Sequence, residues 1–136
     1  MKIFVDTNVF LDILFKRGNY EASLALFKAV KHRIFDGIVA DISIINIAYV
    51  SRKVEVDIRA YLSLIERHFT VLGADNAVVK DALLLKNNDI EDNVQYLLAL
   101  YSECDCIVSN DRGFYRGDVE VLGSGTFVEK YFEEES

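Results

Sequence analysis

Proline is absent from this 136-residue chain, and no Ser/Gly-rich linker or low-complexity tract takes its place. Neither a boundary between halves nor an internal repeat is visible. One domain spanning residues 1–136 is therefore expected, long enough to bury a full core. Cysteine is scarce. Cys104 and Cys106 are the only two, and they imply no disulfide framework. No His and no second Cys pair accompanies them, so they read as small apolar core residues rather than zinc ligands. If residues 104–109 form a strand, both thiols point to one face. No apolar run approaches the ~18–20 residues that cross a bilayer. The start, one Lys2 before three apolar residues, lacks the apolar stretch and cleavage site of a signal peptide. A cytoplasmic protein with no membrane partner is expected. Positive charge is short: 15 Lys and Arg against 22 Asp and Glu, a net charge of −7. Broad phosphate neutralisation needs a basic surface, so tight non-specific binding of nucleic acid is disfavoured. Local binding through a metal or a small basic rim stays open. Part of the acidity is local, since Glu133, Glu134 and Glu135 read as a solvated tail.

What is present is a globular composition, 51% hydrophobic and 27% charged. The apolar run Ile3-Phe4-Val5 stops at Asp6-Thr7-Asn8, as a buried strand does when it delivers an acid to a sheet edge. Helical patterns follow over residues 9–15 and 20–32, separated by the turn signal Arg17-Gly18-Asn19. A second strand is expected at 37–40 and a helix at 42–53, with Ser43 as a candidate N-cap. A helix at 57–68 and a third strand at 69–72 come next. Asp75 caps a helix running to about Lys86. After the break at Asn87-Asn88-Asp89, residues 90–102 read as a helix, 104–109 as a fourth strand and 119–122 as a fifth. A terminal helix is expected at 126–132. Strands alternating with helices indicate a parallel sheet covered on both faces.

Three carboxylates share an address in such a fold. Asp6 follows the first strand and Asp111 the fourth, while Asp92 opens the helix before the fourth strand. Right-handed crossovers place strand C-termini on one edge, and a helix running back against the strands starts near that edge. Each acid has a plainer reading: Asp6 as a helix cap, Asp92 as a complement to a helix dipole, Asp111 in an Asx turn. Together they demand more. Two unpaired carboxylates ~4 Å apart repel by about 4 kcal/mol at an effective dielectric of ~20. A cluster of three needs a cation or protons, and oxygen-only donors favour Mg²⁺ or Mn²⁺ over Zn²⁺. Such an ion polarises a phosphoryl oxygen and lowers the pKa of a bound water, with no protein nucleophile required.

The blocks Val5-Asp6-Thr7-Asn8-Val9-Phe10-Leu11-Asp12, Ile90-Glu91-Asp92-Asn93-Val94-Gln95-Tyr96 and Ile107-Val108-Ser109-Asn110-Asp111-Arg112-Gly113-Phe114 together resemble the PIN-domain family, which includes the VapC-type toxin ribonucleases. The resemblance implies a three-layer αβα sandwich with a five-stranded, mainly parallel sheet. It implies an acidic pocket holding Mg²⁺ or Mn²⁺ and endoribonuclease activity on RNA, possessed by a toxin that pairs with an antitoxin protein and forms a homodimer. Carried over by position, Asp6, Asp92 and Asp111 match the metal-binding, catalytic acids. Asn8 and Asn110 match residues that orient the site, and Ser109 the small hydroxyl before the last acid. Two positions depart from the pattern. Asn46 stands where a further acid, often Glu, is usual, and Gly113 where an Asp often precedes the Phe. An amide oxygen can ligate a metal but brings no charge and cannot act as a base. Glu91 is the available substitute, although a helix neighbour of Asp92 points about 100° away.

Three functions follow. The first is a metal-dependent endoribonuclease, with Lys16, Arg17, Arg52, Lys53, Arg112 and Arg116 as candidates for an RNA-positioning rim. The second, motivated by Asn46, Gly113 and the net charge, is a catalytically weakened PIN fold that binds RNA or protein. The third, a phosphoacceptor or nucleotide-binding α/β domain, is disfavoured. No Gly-rich phosphate loop follows the first strand, and no second Asp lies two residues after Asp6. The apolar stretches 20–27 and 42–49 serve the core, or a dimer or antitoxin surface.

Overall fold

A computed structural model describes residues 1–132; the acidic residues Glu133, Glu134 and Glu135 lie outside the described residues. Five strands, β1 (Lys2–Val5), β2 (Asp36–Ala40), β3 (Phe69–Leu72), β4 (Cys106–Val108) and β5 (Glu120–Leu122), form one sheet in the order β3-β2-β1-β4-β5. Every pairing is parallel, with Phe4 registered against Ile38 on one side and Ile107 on the other. The helices are α1 (Thr7–Leu14), α2 (Tyr20–Lys31), α3 (Asp41–Val50), α4 (Ile58–His68), α5 (Asn76–Leu84), α6 (Ile90–Tyr101) and α7 (Ser124–Phe132).

Alternation along the strands builds two cores. Ile3, Val5, Val39, Cys106 and Val108 face Val9, Phe10, Leu26, Phe27, Ile47, Ile65 and Phe127 from α1, α2, α3, α4 and α7. Phe4, Ile38, Ala40, Ile107 and Val121 face Val78, Ala82, Leu97, Leu98 and Ala99 from α5 and α6. The sheet is thus buried on both faces, which is why its strands read as short unbroken apolar runs. This is the expected three-layer αβα arrangement. Gly37 lets β2 lie under α2: a Cβ there would stand 2.6 Å from the Phe69 ring and 2.7 Å from Val30.

Three local expectations change. Ser43 is not a helix cap. β2 runs into α3 with no loop, so the helix begins at Asp41 behind Ala40, and Ser43 is turned inward and fully buried. The same helix stops at Val50 rather than Lys53. Its last turn closes on Ser51, whose N–H and hydroxyl both return to the Ile47 carbonyl, at 3.1 and 2.7 Å. The fourth strand begins at Cys106, not Cys104. Glu103 takes a left-handed φ of 59° and the Cys104 N–H returns to the Ala99 carbonyl at 2.9 Å, closing α6 before the strand starts. The two thiols therefore lie in opposite cores, not on one face.

Candidate active site

The chain delivers its acids to the carboxyl edge of the sheet. Asp6 leaves β1 with its N–H on the Val108 carbonyl at 2.9 Å, then caps α1. One carboxylate oxygen accepts the Thr7 N–H at 2.7 Å, and the other accepts the Ser109 hydroxyl at 2.8 Å. The Ser109 oxygen in turn accepts the Asp111 N–H at 3.1 Å. One hydroxyl just past β4 thus ties the first acid to the backbone of the last. Thr7 continues inward through a 2.7 Å contact with the Ser43 hydroxyl.

α6 brings the remaining acids from the opposite side of the cleft. Asp89 caps it by accepting the Asp92 N–H at 3.0 Å. Asn93 pins its first turn to α5 through the Ala82 carbonyl and to the preceding loop through the Asn87 carbonyl, both at 3.0 Å. Asp6, Asn8, Asn46, Asp89, Glu91, Asp92 and Asp111 line one cleft of about 360 Å³. Glu91 shares that cleft with Asp92 despite their angular separation, because its longer side chain reaches α3, where it accepts the Asn46 amide at 2.7 Å.

The electrostatics are one-sided. Burial raises the Asp6 pKa, and Asp111 adds to the rise; Ser109, Thr7 and the Gln95 amide oppose it. Burial, then the charges of Asp89, Asp6, Asp111 and Glu91, push Asp92 up to about 7. Glu91 is raised by burial and by Asp6 and Asp89, with Asn46 acting the other way. The ion pairs among the described residues, Arg17 with Asp12 and Lys130 with Glu120, do not reach these acids. Asp92 is 6% exposed, and its buried Oδ2 has no hydrogen-bond partner among the described residues. Among the described residues no three acidic, His or Cys side chains close around a common point as a preformed metal group. The donor set nevertheless fits a hard divalent cation: oxygen-only, strongly acidic, and holding one buried carboxylate oxygen that no described residue satisfies.

Asp111 itself is exposed and forms the Asx turn of its plainer reading, accepting the Gly113 N–H at 2.8 Å. Asn110 is the hub of the supporting network. Its N–H reaches Asn8 at 3.1 Å, its amide donates to Asp12 at 2.8 Å, and its oxygen accepts the Ser124 N–H at 2.8 Å. Of the rim candidates, Arg112 and Arg116 line a second cleft, of about 290 Å³, that shares Asp111 with the first. Arg17 is held by Asp12 at 3.4 Å, and Arg52 lies over the Tyr49 ring at 3.8 Å. Lys16 and Lys53 are exposed and line neither cleft. Sequence reasoning missed Asp89 and Gln95. Gln95 is fully buried, faces Asp6, and its Nε2 completes no hydrogen bond among the described residues. Its signal was available: it stands one helical turn after Glu91 and Asp92, an amide among Leu, Ala and Tyr.

A five-stranded parallel sheet whose carboxyl edge collects acids from β1, β4 and α6 defines an α/β domain built around an acidic cleft. The chain belongs to the PIN-domain family, whose domain model matches residues 2–113. Ribonuclease VapC1 of Aquifex aeolicus (strain VF5) is 33% identical over 141 residues, covering 96% of this chain and 95% of that protein. Among solved structures, VapBC2 from Rickettsia felis bound to a DNA fragment from their promoter superposes with a TM-score of 0.62 at 16% identity. That match covers 90% of this chain and 97% of the other, a likeness of fold. No helix among the described residues is long and apolar enough to cross a membrane.

Proposed function

We propose that this chain is an endoribonuclease dependent on Mg²⁺ or Mn²⁺, the toxin of a toxin–antitoxin pair acting on cytoplasmic RNA. The observation that carries the reading is the buried Asp92 oxygen without a partner among the described residues, in a cleft whose described lining includes Asp6, Glu91 and Asp111 and no basic residue. The near full-length similarity to a protein named a ribonuclease supports the choice of RNA. Asp6, Asp92 and Asp111 would hold the ion, which supplies polarisation of the phosphoryl oxygen and activation of the attacking water. The protein contributes placement. Thr7 and Ser109 fix both oxygens of Asp6, Asn8 and Asn110 hold the β4 exit against α1, and Arg112 and Arg116 offer positive charge to the RNA backbone beside Asp111. An antitoxin side chain of positive charge fits the same cleft, where a guanidinium pairs with carboxylates in two parallel bonds. A homodimer is part of the proposal.

The test is cleavage of RNA with Mn²⁺, with chelator, and with Asp6→Asn. Activity lost in both controls is expected, and equal residual activity in the variant sinks the reading. Asn46, an uncharged residue in the acid cleft, favours a second reading, a PIN fold that binds without cleaving. A melting curve separates them. A cation at ~100 times its Kd adds ~2.7 kcal/mol, a rise of several degrees, whereas a fold that holds no cation melts unchanged up to millimolar Mn²⁺.

A further inference from the structure

The acid cleft is unevenly supplied. α3 contributes Asn46 and Val50 to its lining and no carboxylate, while α6 contributes Glu91 and Asp92 and its N-cap Asp89. Glu91 crosses from α6 to α3 and accepts the Asn46 amide at 2.7 Å. An acid in the first turn of a helix gains from the helix dipole wherever it points. Pointing into water would give that gain without repulsion. Glu91 instead is half-buried and lines the cleft with three more carboxyl groups, those of Asp6, Asp89 and Asp92. The Asn46 amide sets the direction of the side chain but brings no charge against the repulsion; a shared cation would. The Oδ2 of Asp92, on a side chain only 6% exposed, has no partner among the described residues and points independently to a positively charged ligand in the same cleft.

We propose that Glu91 supplies an acidic oxygen to the divalent-cation site from α6, in place of any α3 carboxylate, and that Asn46 is the residue that positions it. The division of labour follows from chemistry. The Asn46 amide donates through nitrogen to Glu91, which orients one carboxylate oxygen and leaves the other for the ion. The inference rests on the cation-binding reading above.

Calorimetric titration of the full chain with Mn²⁺, beside melting of the metal-free protein, tests it. Glu91→Gln is expected to weaken Mn²⁺ binding at least tenfold without lowering the metal-free melting temperature. Asn46→Ala should weaken binding two- to fivefold, and the double variant should bind no more weakly than Glu91→Gln alone, because Asn46 acts only through Glu91. Binding within twofold of the native protein in Glu91→Gln, with binding abolished in Asp6→Asn, overturns the assignment and leaves the cation site standing. Weakened binding accompanied by a lower metal-free melting temperature gives Glu91 a packing role and also overturns it. Additive losses in the double variant overturn the positioning role of Asn46. No Mn²⁺ binding by the native chain removes the cation site and this inference together.

Discussion

In metal-free protein, Asp92→Asn should be stabilising at neutral pH and neutral in acid. Asp92 is held from an ordinary 3.8 up to about 7, first by burial and then by Asp89, Asp6, Asp111 and Glu91. The folded state therefore holds the Asp92 proton more tightly than the unfolded chain does. Below about pH 4 both states are protonated and the carboxyl costs nothing. Between about 4 and 7 the unfolded chain ionises while the folded one resists, so stability falls as pH rises, and above about 7 the whole penalty is present. At about 1.4 kcal/mol per pKa unit the ceiling is roughly 4 kcal/mol. The cleft opens to water on one side and the exposed Asp89 and Asp111 are partly screened, which brings the expected gain to about 2 kcal/mol. For a domain of this size that is a rise on the order of 6 °C in melting temperature. The assay is urea and thermal unfolding by circular dichroism, in chelator, at pH 4.0 and pH 7.5. A variant less stable than the native chain at pH 7.5, or a gain of equal size at both pH values, refutes the argument that Asp92 is buried against uncompensated charge.

Asn110→Ala should cost about 2–3 kcal/mol in urea unfolding, because it strips partners from the buried Asp12 and Ser124 together; a loss under about 0.5 kcal/mol would show that these bonds are replaced by water. Asp75→Ala removes the acceptor of the Val78 N–H and should cost about 1 kcal/mol, read by the same unfolding curve; no change would show that the cap is not populated in solution. Arg112→Ala and Arg116→Ala should each lower the dependence of log Kd for RNA on log salt by about 0.7–0.9, measured by fluorescence anisotropy in Ca²⁺ across a salt series; unchanged slopes place the RNA elsewhere.

The legible parts of the fold are those where one local rule acts alone. Ile3-Phe4-Val5 and Cys106-Ile107-Val108 are short apolar runs because both faces of their strands are covered. Asp75 caps its helix through its own side chain. The errors arise where two elements compete for the same residues. Ser43 has the chemistry of a cap, yet β2 passes into α3 without a loop, and the cap position goes to Ala40, which offers no side-chain acceptor. Cys104 has the polarity of a strand residue, yet the end of α6 claims its N–H. The meeting of β1, β4 and α6 at one edge follows from parallel topology, a rule independent of side-chain detail; the order β3-β2-β1-β4-β5 does not, and was not legible in the sequence.

Glu91 shows where that kind of reasoning stops. The 100° rule treats a helix as an isolated cylinder, and on that cylinder Glu91 and Asp92 diverge. The cleft is bounded by two helices, α3 and α6, and a side chain as long as Glu can leave its own helical direction when a donor waits on the other wall. Asn46 is that donor at 2.7 Å. An uncharged residue that looks like a defect in the acidic set becomes, in three dimensions, the anchor of a different acid. The repulsion this creates among Asp6, Glu91, Asp92 and Asp111 is carried by the metal-free fold as lost stability. A cation that enters the cleft relieves it, so affinity for the ion and the instability of the empty fold share one origin. Substitutions that neutralise an acid should accordingly move the two in opposite directions, firmer folding with weaker binding, and a variant that raised both would break that link.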